Sequence, residues 1–126
     1  MERNAIRTDA APAAIGTYSQ AMSAGDWLFL SGQIGLDPET GELVPGGIEA
    51  QAGRAFENLA AVARAAGAAL DDIVKLNVSL VDLADYAVVN SLMKELFAEP
   101  YPARAAVGVA ALPRGALIEI EAIIAR

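Results

Sequence analysis

The sequence predicts an α+β domain in which two helices cover one face of a mixed sheet. Two segments carry apolar residues at helical spacing, and four others alternate or are rich in β-forming residues. These elements follow one another as strand, helix, strand, helix and two strands, and a helix that links parallel strands makes a right-handed crossover. With 126 residues, we expect one domain over residues 1–126, with a real hydrophobic core.

The first predicted strand covers residues 27–34, and alternate residues form its two sides: Trp27, Phe29, Ser31 and Gln33 on one, and Leu28, Leu30, Gly32 and Ile34 on the other. Turn-forming residues in segments 37–41 and 45–47 then predict a loop. A helix over residues 48–66 follows, because apolar residues recur there every three or four positions. Gly67 suits the C-terminal cap of this helix.

The second half of the chain predicts a strand, a helix and two further strands. Residues 73–81 alternate, with Val74, Leu76, Val78 and Leu80 facing one way and Lys75, Asn77 and Ser79 the other. Asp82 can cap a second helix, whose apolar stripe runs from Tyr86 to Phe97 before Pro100 and Pro102 stop it. Residues 103–109 and 116–124 are β-like, and segment 112–115 between them suits a hairpin connection.

Composition excludes several classes of function. Lys and Arg total 9 against 16 Asp and Glu, a net charge of −7, which argues against binding nucleic acid through its phosphates. The chain has no Cys and no His, so carboxylates, Tyr, Lys and Arg remain for any chemistry. Residues 1–14 do not resemble a signal peptide, and no apolar stretch reaches the roughly 18 residues that span a bilayer. We therefore expect a cytoplasmic protein that does not enter membranes.

With both helices on one face, the opposite face of the sheet is left uncovered. The strand patterns place on it a mixture of apolar and polar residues: Trp27, Phe29, Ser31, Asn77, Ser79, Arg104, Ala106, Glu119 and Glu121. This mixture is too apolar for free exposure and too polar for a sealed core. We therefore predict that copies of the chain assemble around a buried polar site.

Two carboxylates and one guanidinium are the candidate chemical groups. Glu119 and Glu121 share one face of the last strand, so their tips can come within roughly 7 Å, and such a pair raises the pKa of one carboxyl, as a general base requires. A solvated edge strand is the alternative. Arg104 is the only charged residue between Glu99 and Arg114, and its planar guanidinium suits a carboxylate ligand. A structural salt bridge to one of the two glutamates is the alternative.

Six segments together resemble the RidA/YjgF family of reactive intermediate deaminases. In the family's order along almost the whole chain, they are residues 14–21 (AIGTYSQA), 31–34 (SGQI), 37–41 (DPETG), 89–90 (VN), 102–104 (PAR) and 118–122 (IEIEA). The resemblance implies a chorismate-mutase-like (bacillus-type) α+β fold with a mixed six-stranded sheet and two helices on one face. It also implies a homotrimer with three ligand sites in the clefts between subunits.

The resemblance further implies a reaction and a set of residue roles. The reaction is hydrolysis of 2-aminoacrylate, 2-iminopropanoate or 2-iminobutanoate to the 2-oxo acid and ammonia, with no cofactor and no metal. Arg104 is implied to bind the substrate carboxylate and Glu119 to position the attacking water, a choice over Glu121 that periodicity leaves open. Four further residues are implied to line the pocket: Tyr18, Ser31, Gly32 and Asn90.

The chain also departs from the family pattern at several positions. Ala105 and Ala106 stand where many members have Ser and Cys, Thr17 stands where Pro is common, and the segment before Tyr101 is short. These departures border the pocket, so substrate size and identity stay open. A second possible function is a non-catalytic regulatory trimer that binds small carboxylic acids. Endoribonuclease activity is also attached to the family, but an acidic chain without His is poorly equipped to cleave RNA.

Overall fold

The computed structural model describes residues 1–126, and in it two helices pack on one face of a mixed six-stranded sheet. The elements in chain order are β1 (Arg3–Ile6), β2 (Ala21–Ala24), β3 (Trp27–Gln33), α1 (Gly47–Ala65), β4 (Ile73–Leu80), α2 (Tyr86–Leu96), β5 (Ala103–Gly108) and β6 (Ile118–Ala125). Across the sheet the order is β1-β2-β3-β6-β4-β5. Only β4 and β5 run parallel; all other neighbours are antiparallel. The predicted α+β architecture is confirmed.

The hydrophobic core lies between the sheet and the two helices. Phe56 and Leu59 of α1 and Val89 of α2 are buried against the inward side of the central strands. Burying each such side chain stabilises the fold by about 1.5–3 kcal/mol. Gly67 caps α1 as predicted, because its φ of 77° suits a residue without a side chain and its N–H donates to the carbonyl of Arg64. Neither helix has the length and apolar character needed to span a bilayer.

Strands β1 and β2 are not among the predicted elements. Each has only four residues, and β1 is largely exposed, so neither has an alternating pattern long enough to stand out. The two strands extend the sheet beyond β3 as an antiparallel meander. Gly25 and Asp26 form the two-residue turn between β2 and β3, with Gly25 at a φ of 59°. This Gly-containing dipeptide is the local signal of the hairpin.

The prediction that residues 112–115 form a hairpin connection is wrong, because β5 and β6 are not neighbours. Local turn chemistry is present, since Arg114 and Gly115 have φ values of 62° and 70°, but β6 inserts between β3 and β4. Strand β6 lies in the middle of the sheet because one of its faces is fully apolar and buried. This face consists of Ile118, Ile120, Ala122 and Ile124. Because β6 is central, the alternative that Glu119 and Glu121 decorate a solvated edge strand is also wrong.

The parallel pairing of β4 and β5 corrects the predicted face of Arg104 and Ala106. Arg104 is in register with Leu76, and Ala106 with Val78, and paired residues of neighbouring strands point to the same side of a sheet. Both Leu76 and Val78 are buried beneath the helices. Arg104 and Ala106 therefore lie on the helix-covered face, not on the uncovered one. Val74 also departs from the predicted alternation. Its strand pairs irregularly with β6 at this position, and its side chain is exposed instead of buried with Leu76.

A bulge in β3 corrects the predicted alternation at its end. Leu30 pairs with Ala122 but Gln33 pairs with Ile120, so three steps along β3 match two along β6. The extra residue reverses the alternation after Leu30. Gln33, predicted beside Trp27, is instead buried on the core side, and Gly32 turns towards the uncovered face.

Candidate functional site

Arg104 lies in a cleft of about 220 Å³ between the start of β5 and the face of α2 that carries Asn90, Met93 and Lys94. Its Nη1 donates hydrogen bonds to Asn90 Oδ1 at 3.1 Å and to Met93 Sδ at 3.4 Å. Its Nη2 donates to the hydroxyl of Tyr86, and Cζ lies 4.9 Å from the centroid of the Tyr86 ring. The guanidinium is thus held by one face of α2. Asn90, predicted to line the pocket, shares this cleft and accepts from Arg104.

No carboxylate of the chain pairs with Arg104. The two salt bridges of the protein join Arg7 to Asp9 and Arg54 to Glu57. Within one chain, the interpretation of Arg104 as the structural partner of Glu119 or Glu121 is therefore wrong. A guanidinium held by neutral acceptors keeps its charge for an external anion, and a planar carboxylate matches its geometry.

Glu119 lies in a second cleft, of about 310 Å³, at the bulged end of β3. Its side chain crosses directly over Gly32. A Cβ atom at position 32 would meet the Glu119 carboxyl carbon at 2.8 Å and its Cγ and Oε1 at 3.0 Å. Gly32 is therefore required by close approach, because any side chain there would displace the carboxyl group. Tyr18, another predicted site residue, lines the same cleft.

The electrostatic environment separates Glu119 from Glu121. Burial raises the pKa of Glu119 above its ordinary value, and the neighbouring Glu121 charge raises it further. Glu121 is exposed, and its Oε1 accepts a hydrogen bond from Asn77 Nδ2 at 3.1 Å. Glu119 receives no hydrogen bond within the chain. A carboxyl group with a raised pKa and no partner is suited to exchange protons with water.

Ser31 acts on the loop that carries Tyr18. The Ser31 hydroxyl donates to the carbonyl of Ser19 at 2.6 Å, which fixes the residue next to Tyr18. Gln20 is buried and ties down the preceding segment, since its Nε2 donates to the carbonyls of Thr8 and Pro12 and its Oε1 accepts from the Thr8 N–H. Ser31 therefore stabilises the wall of the Glu119 cleft, and its oxygen can still accept a further hydrogen bond.

The predicted site residues thus fall into two groups that one chain does not bring together. Arg104 and Asn90 lie on the helix-covered side, whereas Glu119, Gly32 and Tyr18 lie around the bulged end of β3. The two clefts have no lining residue in common, and β4 separates β5 from β6. No three His, Cys, Asp or Glu side chains come together as a metal site requires. One cleft therefore holds the candidate guanidinium and the other the candidate carboxyl group.

Sequence reasoning missed one residue that contacts Arg104 and one that lines the Glu119 cleft. Tyr86 was part of the predicted apolar stripe of α2, yet it contacts Arg104 and is 40% exposed. The signal is its spacing from Asn90 and Met93, because residues four and seven positions apart share a helix face. Arg114, in the turn after β5, lines the Glu119 cleft. Nothing in the sequence indicates this position, and its distinguishing feature, a left-handed backbone conformation, is visible only in the structure.

Comparison with known proteins gives matches along almost the whole chain. A sequence profile described as Endoribonuclease L-PSP matches residues 8–126. The mouse 2-iminobutanoate/2-iminopropanoate deaminase is 50% identical over 121 residues, 96% of this chain and 90% of the mouse protein. RidA from the Antarctic bacterium Psychrobacter sp. PAMC 21119 superposes with a TM-score of 0.94 at 55% identity, covering 98% of this chain and 99% of that one. E. coli TdcF, solved with bound serine, gives 0.89 at 41% identity and 98% coverage of both chains.

Proposed function

This chain belongs to the RidA/YjgF family, and on that premise we propose that it hydrolyses reactive 2-imino and enamine acids to 2-oxo acids and ammonia. The substrates proposed are 2-aminoacrylate, 2-iminopropanoate and 2-iminobutanoate. Support comes from the mouse relative, which is named for two of these imines and is 50% identical to this chain. The carboxylate of such a substrate is a ligand for a guanidinium, and the C=N bond of the imine, which an enamine acquires by moving a proton from nitrogen to C3, is a target for water.

One observation carries the proposal: the chain holds an unpaired guanidinium in one cleft and an unpaired carboxyl group of raised pKa in another. Arg104 contacts only neutral acceptors, and the pKa of Glu119 is raised by burial and by Glu121. An imino acid needs both groups, one for its carboxylate and one for the attacking water. Neither group has a structural task that would account for it inside one chain.

Assembly of several copies would bring the two groups together. On the uncovered face, Trp27 and Phe29 are 47% and 46% exposed, and large aromatic side chains there favour burial against a partner. We propose the chorismate-mutase-like homotrimer that the family resemblance implies. In it, Arg104 of one subunit faces Glu119 of the next. Each of the three interfaces then forms one complete site.

The proposed chemistry needs no cofactor. Arg104 holds the carboxylate and so fixes the position of C2. Glu119 accepts a proton from water as the water oxygen bonds to C2 of the protonated imine and the C=N π electrons move to nitrogen, which becomes a neutral amine. The protonated Glu119 then returns that proton to the nitrogen of the carbinolamine. Ammonia leaves as the hydroxyl oxygen gives its proton to the Glu119 carboxylate and forms the C=O bond of the 2-oxo acid, and Glu119 then releases this proton to water.

A second candidate function is non-catalytic binding of small carboxylic acids by the same trimer. Arg104 alone would suffice for it, and the E. coli relative was solved with bound serine, a molecule that carries a carboxylate. RNA cleavage, the activity in the description of the matching profile, is disfavoured here. A net charge of −7 without a single His provides neither phosphate affinity nor the usual proton-transfer side chain.

The direct test is competition for an imine made in solution. Threonine dehydratase generates 2-iminobutanoate from threonine, and semicarbazide traps the imine that has not yet been hydrolysed. Added protein should lower the rate of semicarbazone formation, while the sum of semicarbazone and free 2-oxobutanoate stays constant. An unchanged rate, together with tight binding of 2-oxobutanoate, would reject the deaminase and favour the binding protein.

A mixing experiment tests the composite site. We expect Arg104→Ala and Glu119→Gln each to be nearly inactive, the latter with turnover lowered by roughly 100-fold or more. Coexpression of the two variants forms mixed trimers. If each site takes Arg104 from one subunit and Glu119 from its neighbour, random mixing restores about a quarter of the wild-type sites. No recovery in verified mixed trimers would place both groups in one subunit and contradict the proposal.

A further inference from the structure

The hydrogen bonds of Arg104 leave only one edge of its guanidinium available. The group has five N–H donors. Both donors of Nη1 are engaged, one by Asn90 Oδ1 and one by Met93 Sδ. One donor of Nη2 is engaged by the Tyr86 hydroxyl. The Nε–H and the second Nη2–H have no acceptor within the chain, and Nε and Nη2 are neighbours on one edge of the planar group.

We infer that Tyr86 is a positioning residue that fixes this orientation, so that the Nε and Nη2 edge of Arg104 receives the substrate carboxylate. The inference rests on the proposed function and adds the mode of substrate binding to it. Without the Tyr86 hydroxyl, Nη2 has no acceptor within the chain, and the guanidinium is fixed only through Nη1. Two parallel hydrogen bonds from Nε and Nη2 then form less often.

The position of Tyr86 supports a role through its hydroxyl rather than through packing. The residue is 40% exposed, so its ring contributes little to the core. The same ring lies beneath the guanidinium, with Cζ 4.9 Å from its centroid, and this contact restrains the plane of the group. Tyr86, Asn90 and Met93 share one face of α2, so a single rigid helix holds three of the contacts.

Replacing Tyr86 by Phe separates the hydroxyl from the ring. Tyr101 provides the control, because it lines the cleft that holds Arg104 but makes no hydrogen bond to Arg104. We expect Tyr86→Phe to raise the KM for 2-iminobutanoate and the Kd for 2-oxobutanoate by about fivefold to tenfold, the effect expected for the loss of one ordinary hydrogen bond. Turnover at saturation should change less than KM. Tyr101→Phe should raise neither constant by as much.

An NMR measurement on the ligand-free protein adds a readout that does not depend on activity. Restricted rotation of Arg104 should give separate Nη1 and Nη2 signals in the wild type, and these should merge in Tyr86→Phe. Suppose the wild type is active. Equal effects of Tyr86→Phe and Tyr101→Phe on KM and Kd, or Nη signals that do not respond to Tyr86→Phe, would then overturn this inference and leave the proposed function standing. A wild type that neither hydrolyses imines nor binds 2-oxobutanoate would refute the proposed function and this role with it.

Discussion

Replacing Gly32 by Ala should disable hydrolysis while leaving the fold intact. The new Cβ would lie 2.8 Å from the Glu119 carboxyl carbon, and ordinary contact begins at 3.4 Å, so the carboxyl must retreat by about 0.6 Å. Its Cγ and Oε1, both at 3.0 Å, must move as well. A misplacement of about 1 Å can lower a rate by roughly 100-fold, and we expect a fall in kcat of that order. KM should change little, because Arg104, the proposed holder of the substrate carboxylate, belongs to the other cleft of the chain and Gly32 does not line that cleft.

The assay is the semicarbazide competition at several imine concentrations, with thermal unfolding measured on the same samples. Gly53→Ala is the matched control, because Gly53 lies in the middle of α1 and a Cβ there meets nothing within 4 Å. The control should keep wild-type kcat and gain about 0.5–1 kcal/mol of stability, as expected for Ala in a helix. If Gly32→Ala keeps kcat within threefold of the control, the position of Glu119 does not govern the reaction and its catalytic assignment fails.

Three further predictions follow from the same geometry. In the proposed mechanism Glu119 acts in its ionised form, so kcat/KM should rise with pH through its raised pKa. Glu121→Gln removes the Glu121 charge, the smaller of the two causes of the raised pKa. It should therefore move this acid limb of the pH profile to lower pH, still above the ordinary carboxyl value of 4.5, because burial remains. An unmoved limb in the pH profile would contradict the coupling. Arg104→Lys keeps the charge but loses the planar fork, so KM should rise about 10-fold to 100-fold, whereas a KM near that of the wild type would show that a point charge suffices. Phe29→Lys should give a folded, inactive monomer in sedimentation experiments, because the Lys ammonium is solvated on a single chain but would be buried between subunits. An intact trimer would exclude this face as the interface.

Much of the architecture follows from local patterns in the sequence. The two helices, their apolar stripes and the glycine cap at Gly67 depend on residues a few positions apart, and the structure agrees with them. The alternation of Glu119 with Ile118 and Ile120 correctly placed the acidic side chains opposite the core. Family resemblance selected Glu119 over Glu121, and the structure adds a physical reason, since only Glu119 combines partial burial with a free carboxyl group.

Sequence reasoning failed where the outcome depended on residues far apart in the chain. The face of Arg104 follows from its register with Leu76, and a slip of one residue would send it to the other side. The place of Gly32 beneath Glu119 follows from an extra residue in β3 opposite β6. The sequence by itself thus determined the elements, their apolar faces and the chemical groups available. Only the tertiary structure decided which strands pair and in which register, because strand pairing depends on long-range packing that local periodicity does not encode. That pairing places the guanidinium and the carboxylate in separate clefts.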